Sequence, residues 1–253
     1  MYQQQDLDLL EGNLNSKMHL ASQLGEEDLV RLLLEKGADD YNTCMSCAGY
    51  WGHVGIVKLM LEKGATNVNL VMINAAHFGR IEILKLMLEH SLEYNEAMKN
   101  GLEYNEEMKN NLQYNEAMRM AAMGGQIEAI RLLLDCGANN YNEALDAAIR
   151  CRDTDGEVYG EIVLLLLERG ATDYNSALIF AAEYGHESIV FLALEKGATD
   201  YDSAIKYAKG YGPIVVRGGS SSRSRNPGWN TLSPKMQDII NLLTLYKAGK
   251  VKL

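Results

Sequence analysis

Apolar positions along this chain fall into short helical stripes that come in pairs. The stretch YNSALIFAAEYGHESIVFLALEKGATD, residues 174–200, shows the pattern. A first run carries its apolar residues around a small Ala181-Ala182 pair and stops at Gly185. A second run has the same apolar stripe as IVKLMLEKG at 56–64 and stops at a Gly followed by Ala. Spacings of three and four place such residues on one face of an α-helix. The small pair lets a neighbouring helix approach closely. Only Gly enters the left-handed region without strain, so each Gly predicts a helix end.

The pattern recurs at a fixed period, which predicts a stack of repeats. Copies open at Tyr41, Val68, Tyr114, Tyr141, Tyr174 and Tyr201, and the regular steps between openings are 27 residues. A first copy starts near Leu14. Most copies open with Tyr-Asn, and the Asn is expected to cap the first helix by accepting from an unpaired backbone N–H. One such unit cannot bury its own stripe, whereas stacked units can. The predicted fold is an all-α solenoid of stacked helix pairs within one domain, 1–253. Its units lie near 14–40, 41–67, 68–93, 94–113 (shortened), 114–140, 141–173, 174–200 and 201–253.

The phrases AA-x-x-GH-x-x-IV and LLLEKGA, with MHLAS at 18–22, resemble the signature of the ankyrin repeat. The likeness covers about residues 14–205 and a final helix. It implies antiparallel helix pairs, a protein partner held on the concave helical face, and a bracing role for His19 between neighbouring turns. His53 and His186 stand at the family's Gly-His place, where the ring bonds loop backbone. The repeat here is shorter than the family's ~33 residues. The shortfall lies between Gly-Ala and the next first helix, where the family places a β-hairpin. Short links and little or no β-structure are therefore expected. The wording KGATDYNSAL is similar to ankyrin arrays of giant DNA viruses of amoebae, which implies action in a host cytoplasm.

Three places break the rhythm. Residues 92–117 hold a decapeptide repeat, LEYNEAMKNG, LEYNEEMKNN, LQYNEAM. It is expected to form a brief helix from about Tyr94, a turn at Asn100-Gly101 and a second brief helix near 104–110; a single kinked helix is the alternative. The polar insert CRDTDGEVYG at 151–160 reads as a surface loop, and it lacks the later ligands of a calcium loop. The last unit splits around a Gly/Ser/Arg stretch at 212–232 that reads as a flexible loop. A closing helix then resumes with Ser233 as cap and Pro234 in the first turn.

Charge and composition narrow the functions. The chain carries a net charge of −10, but residues 1–202 hold 15 basic and 33 acidic side chains, against nine and one in 203–253. An acidic body repels nucleic acid and anionic membranes, leaving Arg217, Arg223 and Arg225 as the one basic stretch that attracts phosphate. No apolar run reaches the ~20 residues of a membrane-spanning helix. The opening MYQQQDLDLLEG has no signal-peptide character, so a soluble, cytoplasmic protein is expected. The four cysteines sit inside helical patterns, which fits a reducing compartment.

Candidate chemistry is sparse. Cys44 and Cys47 form a lone C-x-x-C with no second ligand pair, and Cys44 aligns with the small residues Ala117, Ala144 and Ala177. No metal, cofactor or catalytic constellation is predicted, and no enzyme. The informative feature is a column of residues just before the inter-helix Gly: Leu24, Trp51, Phe78, Tyr184 and Tyr211, flanked by Gln23, Tyr50, His77, Glu183 and Gly210. These places vary while their neighbours do not, and aromatic side chains are common anchors of interfaces. Leu24, Tyr50, Trp51, His77, Phe78, Glu183, Tyr184 and Tyr211 are therefore the candidate partner-binding residues. The alternative is that the rings pack on the next unit's loop. Two other functions remain open: a self-assembling element whose acidic body pairs with its basic tail, and a nucleic-acid-associated protein acting through the Arg-rich loop.

Overall fold

A computed structural model describes residues 12–99, 111–150, 156–211 and 234–251. They form two compact units, 1–139 and 140–253. The first unit holds α1 (Leu14–Leu24), α2 (Glu27–Glu35), α3 (Tyr41–Trp51), α4 (Val54–Glu62), α5 (Val68–His77), α6 (Ile81–Lys99), α7 (Asn111–Met123) and α8 (Ile127–Asp135). The second holds α9 (Tyr141–Arg150), α10 (Gly156–Arg169), α11 (Tyr174–Tyr184), α12 (Glu187–Glu195), α13 (Tyr201–Lys206), a π-turn (Tyr207–Tyr211) and α14 (Pro234–Lys247). No strand occurs among the described residues. Each unit is thus an all-α, ankyrin-like stack of helix pairs, with each first helix packed on the first helix of a neighbouring pair.

The two glycines of a repeat do different work. Gly52 ends α3 with φ 96° and donates its N–H to the Ala48 carbonyl. Gly64, with φ 94°, ends α4 in a paired motif: Gly64 N–H reaches the Leu61 carbonyl and Ala65 N–H the Met60 carbonyl. Both close helix carbonyls that would otherwise lack donors. The Ala after this second Gly is buried in every regular copy, at Ala38, Ala65, Ala138, Ala171 and Ala198. The small pair at the core of the first helices sets the helix spacing. A Cβ on Gly49 would lie 2.7 Å from Val71 Cγ1 of α5, so α3 and α5 approach as closely as the small residue permits.

The expected role of the Tyr-Asn asparagine requires correction. The helix cap is the residue before Tyr: Asp40, Asp173 and Asp200 accept from the backbone N–H of Thr43, Ser176 and Ser203. Asn sits inside the first turn and reaches forward to the next link. Asn42 Oδ1 accepts from Thr66 and Asn67 N–H at 2.7 and 3.2 Å. Asn15 accepts from Asp39 and Asp40 at 2.9 and 3.3 Å. Asn175 accepts from Thr199 and Asp200 at 2.8 and 3.0 Å, and Asn142 from Thr172 and Asp173 at 2.7 and 3.3 Å. Asn115 accepts from Asn139 N–H at 2.7 Å. Each link turns sharply with no hairpin to pair its N–H groups, and the asparagine of the preceding helix supplies the acceptor.

The expected helix break at Tyr94 is also absent. Helix α6 runs 19 residues without interruption from Ile81 to Lys99. The register explains it: one repeat after Gly64 stands Ser91, so no left-handed stop exists there, and no Gly or Pro follows before Gly101. Ser91 is buried, and the buried Tyr114 hydroxyl lies 3.4 Å from its Oγ. Helix α5 packs directly on α7, and α6 on α8. The pair at 68–93 therefore neighbours the pair at 114–139. The remainder of the expected shortened unit lies outside the described residues, as do Ser233 and the loop at 212–232. The insert at 151–160 is helical from Gly156, where a surface loop is expected; its first five residues are outside the described set. Helix α14 takes the second-helix place in the last pair, with Ile239, Ile240 and Leu243 buried and a Lys247–Asp202 ion pair tying its end to α13.

Removing the asparagine acceptor tests this account. Asn42→Ala and Asn175→Ala should each cost about 1 kcal/mol in urea unfolding, at the low end for an unsatisfied donor because the links are exposed. Asp40 offers a second check. Burial raises its pKa, but the hydrogen bonds from Thr43 and the nearby His19 outweigh this and hold it below its ordinary 3.8. A depressed carboxylate stabilises the fold above its unfolded pKa and loses that contribution as pH falls through the folded value. The stability gap between wild type and Asp40→Asn should therefore be present at pH 5 and close below pH 3.8.

Candidate functional site

Within each unit, residues at or just after the turn between paired helices make bracing contacts to the preceding pair. His53 Nε2 lies 3.0 Å from the Gln23 carbonyl, and its ring covers Gly25, where a Cβ would come within 2.5 Å. Arg80 Nε donates to the Tyr50 carbonyl at 3.3 Å and lies over Gly52. Gln126 covers Gly79 in the same way. In the second unit His186 lies over Gly160, and Met236 over Gly185. One position, filled by His, Arg, Gln or Met, thus packs on a glycine of the pair before it, the turn glycine in every case but Gly160, which lies inside α10. His19 braces through a side chain instead, its Nε2 3.0 Å from Asp40 Oδ2.

These braces hold the ends of the first helices in register, and the candidate column stands on those ends. In the first unit Leu24 is 65% exposed, Trp51 52% and Tyr50 40%. Phe78 is half-buried, with its ring 4.3 Å from Tyr50 and 4.5 Å from His77. The Tyr50 ring also meets Trp51 edge-on at 5.3 Å. Such edge and tilted contacts fix ring orientation. Helices α1, α3 and α5, packed in order, thus bring Leu24, Tyr50, Trp51, His77 and Phe78 to equivalent places on successive helix ends. His77 is half-buried, and its Nδ1 lies 3.0 Å from the Met120 carbonyl, so it also locks α5 to α7.

The second unit separates the remaining candidates from this group. Tyr184 is half-buried, its ring 4.9 Å from the buried Phe180 and 6.4 Å from His186. Glu183 beside it is half-buried. Tyr211 closes the π-turn, and its side chain lies outside the described residues, as do Arg217, Arg223 and Arg225. The column is therefore two kinds of position: open in Leu24, Trp51 and Tyr50, partly packed in Phe78, His77 and Tyr184. Leu20 belongs with the open set at 42% exposure and was not in the expected column. Its signal is in the sequence, since it precedes Leu24 by four residues and shares its helix face.

The C-x-x-C does not behave as a reactive pair. Cys44 is fully buried, and burial pushes its thiol up to about 12. At neutral pH the thiol stays protonated and packs as a small apolar side chain. No group of three metal-ligating side chains occurs among the described residues, and no described helix is long and apolar enough to cross a membrane. In the native protein Cys44 should resist iodoacetamide at pH 7.5 and become modified only as urea unfolds the stack. Modification in the folded state at a rate comparable with that of the unfolded chain would contradict the packed role.

The ankyrin repeat family model matches residues 18–44, the span from α1 through α2 into α3. No curated protein matches the chain.

Proposed function

We propose that this ankyrin-like stack is a non-catalytic scaffold or adaptor that holds a partner protein on its concave helical face. Ankyrin repeats generally mediate protein–protein interaction, and residues 18–44 carry that likeness. The observation that carries the reading is the open apolar group of Leu24, Tyr50 and Trp51 at the ends of successive first helices. Exposed aromatic and aliphatic side chains on a rigid frame are what an interface needs for anchoring, because little side-chain freedom is lost on contact. The braces behind them supply the rigidity. Phe78 and His77 extend the proposed binding set in the first unit, and Glu183, Tyr184 and Tyr211 are the proposed binding residues of the second. The KGATD-Tyr-Asn wording adds the finer reading of a viral array acting in the host cytoplasm.

The side chains that hold the stack differ from those that face outward, so the test can separate them. Leu24→Ala and Trp51→Ala should leave the thermal melt nearly unchanged, since both side chains are mostly exposed. Phe78→Ala should lower stability by about 1–2 kcal/mol through lost ring packing. A photo-crosslinker placed at Leu24 in the full chain should capture a defined protein, and Trp51→Asp should remove the capture. The same crosslinker at Lys58 on α4 should not capture it. Equal capture from both positions, or capture that survives Trp51→Asp, would sink the proposal.

A further inference from the structure

The second helices carry a regularity of their own, and the second unit departs from it. Six residues before the stop position at the end of each second helix stands one outward residue. In the first unit it is Arg31, Lys58, Lys85 and Arg131, all exposed. In the second unit the same place holds Leu164 and Phe191. Phe191 is 46% exposed. A phenylalanine has thus replaced a cation at a solvated place, where the first unit always puts a charge.

The replacement changes the electrostatics beside it. In α2, Glu27 sits one turn before Arg31 and pairs with it at 2.6 Å. In α12, Glu187 sits one turn before Phe191, so its carboxylate has no such partner. Helix α14 packs beside α12 and presents Asp238 toward the same place. Together these residues line an open groove of about 260 Å³: Val190, Phe191, Ile239 and Leu242 form an apolar lining, with Glu187 and Asp238 in it. Among the described residues neither carboxylate makes an ion pair. An apolar trough with two uncompensated carboxylates complements a segment that brings an apolar side chain and positive charge together.

We propose that the groove between α12 and α14 is a second docking site, distinct from the first-helix column, for a peptide segment of a partner protein that places a large apolar side chain between lysines or arginines. The apolar side chain covers Phe191 and Leu242. The flanking cations meet Glu187 and Asp238, replacing the arginine that this repeat position has lost. The substitution that makes the site also supplies its control. Phe191→Lys restores the residue type found at Lys58 and Lys85, so it should fold as well as the wild type.

A labelled peptide of one tryptophan between two pairs of lysines serves as the probe, read by fluorescence anisotropy on the full chain at ~0.15 M salt. Saturable binding is expected, weakened about tenfold or more by Phe191→Lys and by Glu187→Lys, and unchanged by Glu62→Lys on α4. A glutamate-flanked tryptophan peptide should not bind. Undiminished binding to Phe191→Lys would overturn the proposal, as would equal weakening by Glu62→Lys, which would indicate diffuse attraction to an acidic protein. Two results would assign the groove to a different occupant and overturn it as well. A dimer in sedimentation velocity that Phe191→Lys abolishes would give it to a second copy. Peptide binding seen only after Arg217, Arg223 and Arg225 are changed to serine would give it to the chain's own basic segment.

Discussion

The stack depends on how its links satisfy their backbone. A repeat this short leaves only a few residues between one second helix and the next first helix, and no strand pairs their N–H groups. The amide oxygen of Asn15, Asn42, Asn142 and Asn175 accepts two consecutive link N–H groups from the following pair, and Asn115 accepts one. A single side-chain atom therefore fixes where the next first helix begins. Everything that needs register follows from it: the Asp cap one residue before Tyr, the buried Ala after the helix-ending Gly, and the close approach of Gly49 to Val71 at the core.

A second set of contacts acts at the other end of the first helices. His53, Arg80, Gln126 and Met236 differ in chemistry but share one task, covering the turn glycine of the pair before, while His186 covers Gly160 inside α10. The glycine is needed for a steric reason as well as a backbone one, since a Cβ at Gly25 would meet the His53 ring. With both ends of each pair fixed, the side chains just before the turn are free to differ. Leu24 and Trp51 use that freedom to face solvent, while Phe78 and Tyr184 use it to pack. On the second helices the outward place likewise varies, holding Arg31, Lys58 and Lys85 in the first unit and Phe191 in the second.

Much of this was legible in the residues. The period, the helix pairs, the Gly stops and the missing hairpin all follow from local rules, in which left-handed glycine and apolar spacing act within a few residues. The candidate column was legible as places, because its register is the repeat's register. Its division into open and packed positions was not, since exposure depends on what the adjacent pair offers. Leu20 lies outside the column because it stands one turn up the same face, away from the residue before the turn. Phe191 does not stand out in sequence, since an apolar residue in an apolar helix differs from its neighbours only in taking the outward place of Arg31 and Lys58.

Sequence alone determined that each compact unit is an all-α stack of short ankyrin-like helix pairs, because helix periodicity and glycine stops are local properties. Tertiary structure decided three things that span tens of residues. It moved the capping role from Asn42 to Asp40 and gave Asn42 a clamp 24 residues onward, since an asparagine one place inside a helix bonds whichever N–H the fold brings near. It ran α6 through Tyr94 and set the pair at 68–93 directly against the pair at 114–139, because packing of α5 on α7 is blind to the chain length between them. And it sorted the aromatic column into open and packed positions, which only the position of a neighbouring helix can do.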